Sequence, residues 1–409
     1  MADVLRDIIK RNRAGEIVAI PSVCSAHPDV LAATLRMAHR LNRPVVIEAT
    51  SNQVNQDGGY AGMRPSDFIA YVADIAQNVG ADRDAILFGG DHLGTQAWRK
   101  EESPAAMSKA RELVRTYVAA GFRKIHLDCS EGCAGETAQL DDETTAARSA
   151  DLAGVCGTLS EDLLYVVGTE VPPPGGARVD EAGHIPATRP EAARATLAAH
   201  DATFGDLREQ IGGLVVQPGV EFSPTKVHDL PMARDPGLKV ALADRPGVCL
   251  EAHSTDYQAS EVFPRLAALG FAFQKVGPAL TYAYREAIYK LDQLRPAKGA
   301  LRAVMDAEML ADPVHWQGHY SGDPDLVARH RHEGLADRIR YYWPRPKVQV
   351  AVEELLADLM TTQPDKNLQS VFDKVVLDRA EDIPGGQMQR LIHAQIETAM
   401  APYFFERPV

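Results

Sequence analysis

Eight apolar runs of strand length punctuate the first two-thirds of the chain, and amphipathic, alanine-rich stretches lie between them. The runs are Ile17–Pro21, Pro44–Glu48, Ala85–Gly90, Arg123–Asp128, Leu164–Glu170, Gly212–Gln217, Gly247–His253 and Phe271–Val276. Each is rich in Val, Ile, Leu or Phe and short enough to be a buried strand. The stretches between them include Pro28–Arg43, Pro65–Val79, Pro104–Ala120 and Arg189–Ile211, several opening on Pro, which suits a first helical turn. Alternation of this kind demands a parallel sheet, and eight units fit a closed (β/α)₈ TIM barrel. An open doubly wound sheet is disfavoured because no Gly-x-Gly-x-x-Gly follows the first run. After residue 295 the strand signal stops. Ala300–Leu310, Asp325–Tyr342, Val350–Met360, Leu368–Leu377 and Gly386–Met400 read as helices. The expected organisation is a barrel over 1–295 and a helical C-terminal extension over 296–409.

Charge narrows the partners. Lys and Arg number 43 against 56 Asp and Glu, a net charge of -13. Such a surface repels polyanions, so no nucleic acid or anionic membrane is expected as a partner. A small anion remains admissible, because backbone amides and one lysine hold a phosphate locally. The five cysteines, Cys24, Cys129, Cys133, Cys156 and Cys249, make no disulfide framework and fit a reducing cytoplasm. The first residues lack the apolar core of a signal peptide, and no apolar run is long enough to span a bilayer.

In a (β/α)₈ barrel the C-terminal strand ends and their loops build the active site. Those ends are polar here: Glu48 and Asn52 after the second run, Asp91-His92 after the third, His126 and Asp128 in the fourth, Glu170 in the fifth, Gln217 in the sixth, Glu251 and His253 in the seventh, and Lys275 before Gly277 in the eighth. Side-chain alternation turns Ile125 and Leu127 toward the helices and Lys124, His126 and Asp128 inward. By the same rule Cys249, Glu251 and His253 face in. Buried ionisable groups cost stability unless paired or metal-bound. His126, taken alone, reads more readily as an interior histidine than as a ligand. His92, Glu170 and His253 form a two-imidazole, one-carboxylate set that suits a catalytic divalent metal, zinc or manganese among others. Barrels often bind phosphate after strands seven and eight. Ser254 and Gly277 stand at those places, with Lys275, Gln217 and Asn52 as further substrate contacts. A Gly-x-x-x-x-Gly-Lys-Ser/Thr loop and the protein-kinase motif set are both missing, so nucleotide-dependent phosphorylation has no support.

Several segments carry a resemblance: Ser22–Pro28, Ile47–Gln56, Gly89–Gly94, Lys124–Asp128, Gly168–Pro172, Val216–Phe222, Glu251–Tyr257 and Asp337–Pro344. On these, nearly the whole chain resembles the Z-subunit family of tagatose-1,6-bisphosphate aldolase, which includes tagatose 6-phosphate 4-epimerases. That family is in turn similar to metal-dependent class II aldolases. The resemblance implies that Asp91 is the catalytic acid/base and His92 and His253 are metal ligands, with Gln217 standing where the aldolases have a further histidine and Glu170 completing the set. It implies an epimerase that interconverts D-tagatose 6-phosphate and D-fructose 6-phosphate by breaking and remaking the C3–C4 bond, with Asp128 and Glu48 assisting. The alternative it implies is a non-catalytic subunit that stabilises a class II aldolase. Homo-oligomerisation and an aldolase subunit are the protein partners expected.

Overall fold

All eight apolar runs form strands. In the computed structural model, which describes residues 2–169, 185–362 and 365–405, they are β1 (Ile20–Cys24), β2 (Val45–Thr50), β3 (Ile86–Leu93), β4 (Lys124–Leu127), β5 (Leu164–Gly168), β6 (Ile211–Val215), β7 (Cys249–Ala252) and β8 (Phe271–Val276). Each strand pairs in parallel with its sequence neighbours, and β8 pairs with β1, closing the barrel. A short antiparallel ribbon, Glu221–Phe222 with Val227–His228, follows β6 and had no alternation strong enough to betray it.

The barrel interior is layered. At the N-terminal end Ile20, Val46, Leu87, Leu164, Val166, Val215, Cys249 and Phe273 meet Leu5, Ile8 and Ile9 of the first helix, Ala2–Arg13. That helix plugs the bottom of the barrel, and Asn12 ties it down by donating to the carbonyls of Val18 and Ala267. The layers above are charged. Ile125, Leu127, Val248, Leu250 and Ala252 pack outward into the main core, as alternation requires.

Helices Pro65–Val79 and Ser103–Ala120 each end on a glycine in the left-handed region, Gly80 and Gly121. Beyond residue 295 the chain is helical. The expected Asp325–Tyr342 helix is split: Pro324–Glu333 stops at Gly334, and Asp337 takes a left-handed conformation (φ 46°) before a 3-10 turn, Arg338–Tyr341. The expected Leu368–Leu377 helix resolves into a 3-10 turn, Asp365–Ser370, and a helix, Lys374–Glu381. The last helix, Gln387–Met400, packs against Pro28–Arg40 and Pro278–Asp292, the first and last helices of the barrel ring. Buried Glu397 pairs there with Arg40 at 2.7 Å, and His393 Nε2 lies 3.0 Å from Asp29. Among the described residues, no helix is long and apolar enough to cross a membrane.

Candidate metal-assisted active site

A ladder of buried charge rises through the barrel to its C-terminal mouth. Lys124, fully buried, donates to Glu48 Oε1 at 2.6 Å and forms an ion pair with Glu251 Oε2, also at 2.6 Å. Glycine at 89 leaves room for this, since a Cβ there would meet the Glu48 side chain at 2.8 Å. One level higher, Lys275 contacts Asp91 and lies 3.3 Å from Glu251 and 3.6 Å from Glu48. Burial acts to lower the Lys275 pKa, but Asp91, Glu48 and Glu251 outweigh it and hold the ammonium well above its ordinary value.

Three imidazoles meet above Lys275. The rings of His92, His126 and His253 have centroids 4.8, 5.1 and 5.3 Å apart. With Asp91 they form a group whose candidate ligand atoms all lie within 4.8 Å of one another. Each ring is oriented by a specific partner. His92 Nδ1 is 2.7 Å from Asp128 Oδ2, and Asp128 in turn accepts from Ser130 Oγ at 2.6 Å. This pairing leaves His92 Nε2 on the Asp91 side, 3.6 Å from Oδ1. His253 Nε2 is 2.9 Å from Glu251 Oε1. His126 Nε2 is 3.0 Å from the carbonyl of Gly168, an acceptor, so it carries a hydrogen. Its Nδ1 accepts from the His92 amide at 3.3 Å and faces Asp91 Oδ1 at 3.0 Å. A lone pair and a carboxylate at that distance repel unless positive charge lies with them; the Lys275 ammonium on Asp91 Oδ1 supplies part of it, and a proton or a metal ion at Nδ1 would supply the rest. Three nitrogens and a carboxylate on rigid strand ends, backed by hydrogen-bonded partners, fit a divalent cation.

The electrostatics of Asp91 and His253 agree. Burial would raise the Asp91 pKa, but His92, Lys275 and His126 hold it well below the carboxylate range. Burial and the neighbouring Lys275 drive His253 well below its ordinary value, which favours the neutral imidazole a metal needs. His92 is displaced the other way: burial lowers it, and the Asp91 and Asp128 carboxylates more than compensate.

Cys24, Gln53, Tyr60, Asp256, Arg340 and Tyr341 line a cavity of about 180 Å³ together with Asp91, His92, His253, Ser254, Lys275 and Gly277. A neighbouring cavity of about 520 Å³ shares Cys24, Gln53, Tyr60, Gly277 and Arg340. Asn52 and Gln217, also singled out from the sequence, lie apart from these cavities. Asn52 is exposed and donates to Gln96. The Gln217 side-chain oxygen accepts from the amides of Gly219 and Val220, shaping its own turn. The amides of Gly277 and Ala279 donate to Asp256 Oδ1, so a carboxylate already caps that helix. Glu170 lies outside the described residues. His126 is the residue that sequence reasoning left in the core and the structure brings to the cluster; its inward register beside Asp128 was the available signal.

The chain matches, over residues 5–406, the family model described as D-tagatose-1,6-bisphosphate aldolase subunit GatZ/KbaZ-like. It belongs to that family. Among its relatives, a D-tagatose 6-phosphate 4-epimerase of Agrobacterium fabrum is 42% identical over 425 aligned positions, covering 98% of each chain. The D-tagatose-1,6-bisphosphate aldolase subunit GatZ of Klebsiella pneumoniae is 42% identical over 391, covering 92% of each. A solved structure from Sinorhizobium meliloti 1021, described as a probable tagatose 6 phosphate kinase, superposes with a TM-score of 0.86 at 41% identity. It covers 94% of this chain and 99% of that one.

Proposed function

We propose that this GatZ/KbaZ-like protein is a metal-dependent epimerase that inverts C4 of D-tagatose 6-phosphate to give D-fructose 6-phosphate. The observation that carries the reading is the convergence of His92, His126 and His253 on Asp91 at the barrel mouth. Those imidazoles would hold a divalent ion, zinc by its preference for nitrogen donors, with Glu170 as a further ligand. Bound there, the ion would supply Lewis-acid polarisation of the sugar's carbonyl.

The residues of the chain divide the remaining work. C4 is not α to the C2 carbonyl, so its hydrogen is not acidic and inversion by proton abstraction is disfavoured. Asp91, ionised and open to the cavity, takes the proton of the C4 hydroxyl. The C3–C4 electron pair moves onto C3, leaving a C1–C3 enediolate and an aldehyde at C4. The aldehyde turns, the enediolate re-adds to its other face, and Asp91 returns the proton to the new C4 oxygen. Nothing is oxidised, and no nicotinamide is required. Asp128 acts by fixing His92, and Glu48 by holding Lys124 and Lys275 in place. Sugar and enediolate stay in a cavity walled by Tyr60, Phe222 and Tyr341, which keeps the aldehyde from escaping between cleavage and re-addition.

Proton NMR of tagatose 6-phosphate incubated with metal-loaded protein tests this. Fructose 6-phosphate should accumulate, and a chelator or His253→Ala should stop it. No turnover with any divalent metal would remove the assignment. It would favour the second reading, an accessory subunit of a class II aldolase, which the subunit name of the Klebsiella relative supports. That reading expects the protein to co-purify with, and stabilise, a catalytic aldolase chain.

A further inference from the structure

Most cations at the barrel mouth are spent on carboxylates. Lys124 and Lys275 serve Glu48, Glu251 and Asp91. The amides at the start of helix Pro278–Asp292 are spent on Asp256. Arg340 differs. Its guanidinium donates to the carbonyls of Ala336 (2.7 Å) and Asp337 (3.0 Å) and to the Tyr341 hydroxyl (3.0 Å). It stacks over the Tyr341 ring at 4.5 Å. Among the described residues it forms no ion pair. Asp337, the carboxylate nearest in sequence, is bound instead to buried Arg285 at 3.0 Å and to Thr281 at 2.6 Å. Arg340 lines both mouth cavities, one of them together with Asp91, His92 and His253.

The local fold is built to deliver this charge. The 3-10 turn Arg338–Tyr341 comes from the helical segment beyond the barrel and is pinned by Asp337, which accepts a left-handed backbone (φ 46°) to pair with Arg285. The Tyr257 hydroxyl donates to the Leu335 carbonyl at 2.6 Å, tying the approach to the loop after β7. A guanidinium held over a cavity by two carbonyls and a tyrosine hydroxyl, with the Asp256 carboxylate on the same cavity but not in an ion pair with it, still has N–H groups and charge to offer an anion.

We propose that Arg340 anchors the phosphomonoester end of the substrate, so that the segment beyond the barrel, and not the amides after β8, sets the preference for a phosphorylated sugar. This rests on the epimerase reading for the placement of C3 and C4 beside Asp91; the phosphate is then separated from C4 only by C5, C6 and the ester oxygen. The Tyr341 ring, locked against the guanidinium, fixes the angle at which the anion is met.

Two measurements test the assignment. Binding of tagatose 6-phosphate and of unphosphorylated tagatose is compared by calorimetry on metal-loaded wild type and Arg340→Gln. The variant should weaken the phosphorylated sugar by about 30-fold or more and leave the unphosphorylated sugar within a few-fold. Arg340→Lys should recover part of the loss. Equal weakening of both sugars, or of neither, overturns the proposal. In the wild type, inorganic phosphate should protect Arg340 from phenylglyoxal, as read by peptide mass spectrometry. Unchanged labelling overturns the proposal even where Arg340→Gln does not fold. Arg340-dependent binding without any turnover would leave the anion site standing and remove the epimerase reading instead.

Discussion

Replacing Lys124 with Met removes the central cation of the barrel while nearly preserving side-chain length. In the wild type, two cations, Lys124 and Lys275, face three buried carboxylates, Glu48, Glu251 and Asp91. Burial alone would raise the Glu251 pKa, yet Lys124 and Lys275 hold it well below the carboxylate range. In Lys124→Met one cation is left for three carboxylates, so at least one of them takes up a proton on folding. Protonating a glutamate of ordinary pKa near 4.3 at pH 7 costs about 4 kcal/mol, at about 1.4 kcal/mol per pH unit. A similar range, about 3–5 kcal/mol, is typical when one partner of a buried pair is removed. The folded variant then binds a proton that the unfolded chain does not. Its stability falls as pH rises above the unfolded pKa, and the deficit against wild type grows with pH. Urea denaturation after chelation, at pH 6, 7 and 8, measures this. Adding Glu48→Gln should recover much of the loss and flatten the pH dependence. A deficit below about 1 kcal/mol, or one that is the same at pH 6 and pH 8, would refute the charge count on which the argument depends.

Two further substitutions probe the mouth. Asp128→Asn keeps an oxygen for His92 Nδ1 but removes the charge that orients and polarises it, so divalent-metal affinity should drop about 10–100-fold in competition with a chromogenic chelator; an unchanged dissociation constant would count against His92 as a ligand. Asp256 is buried, and burial pushes its carboxyl pKa up to about 6 despite the Ala279 and Gly277 amides. A folded value above the unfolded one means that ionisation costs the folded state stability as pH rises through that window. Asp256→Asn keeps the acceptor and cannot ionise, so its stability relative to wild type should rise by up to about 3 kcal/mol between pH 4 and pH 7 in thermal melts, and a flat difference would show that Asp256 is not held in this way.

The barrel was legible because its signal is repeated and local. Each of the eight runs is apolar enough to need burial and short enough to be a strand, and the inward register of Lys124, His126, Glu251 and His253 follows from alternation alone. What was not legible depends on distance across the ring. Nothing in the spacing of Gly168 and His126 says that one carbonyl fixes the other's tautomer. The capture of the Gly277 and Ala279 amides by Asp256 is likewise invisible in sequence, and it removes the helix terminus from the list of anion sites. Arg340 stood in a segment that read as helix. Only the break at Gly334 and the left-handed Asp337 turn it back over the barrel.

Strain points to the same place as charge. Among the described residues, the non-glycine positions with positive φ are Asn42, His92, Ser254, Tyr257 and Asp337. Asn42 follows a helix end, where Asn tolerates this conformation. The other four sit around the mouth: His92 and Ser254 line the cavity, Tyr257 holds the Leu335 carbonyl, and Asp337 starts the turn that carries Arg340. Side chains of this size in that region cost on the order of 1–3 kcal/mol each and persist only where the surroundings over-determine them. At His92 and Asp337 the surroundings do so. His92 is fixed by Asp128, Asp337 by Arg285 and Thr281, and the β3 end by Gly94, where a Cβ would collide with the Asp128 carbonyl. A barrel needs none of these conformations to close. Two of them, at His92 and Asp337, set the cluster of imidazoles and the turn that carries Arg340 at one small cavity.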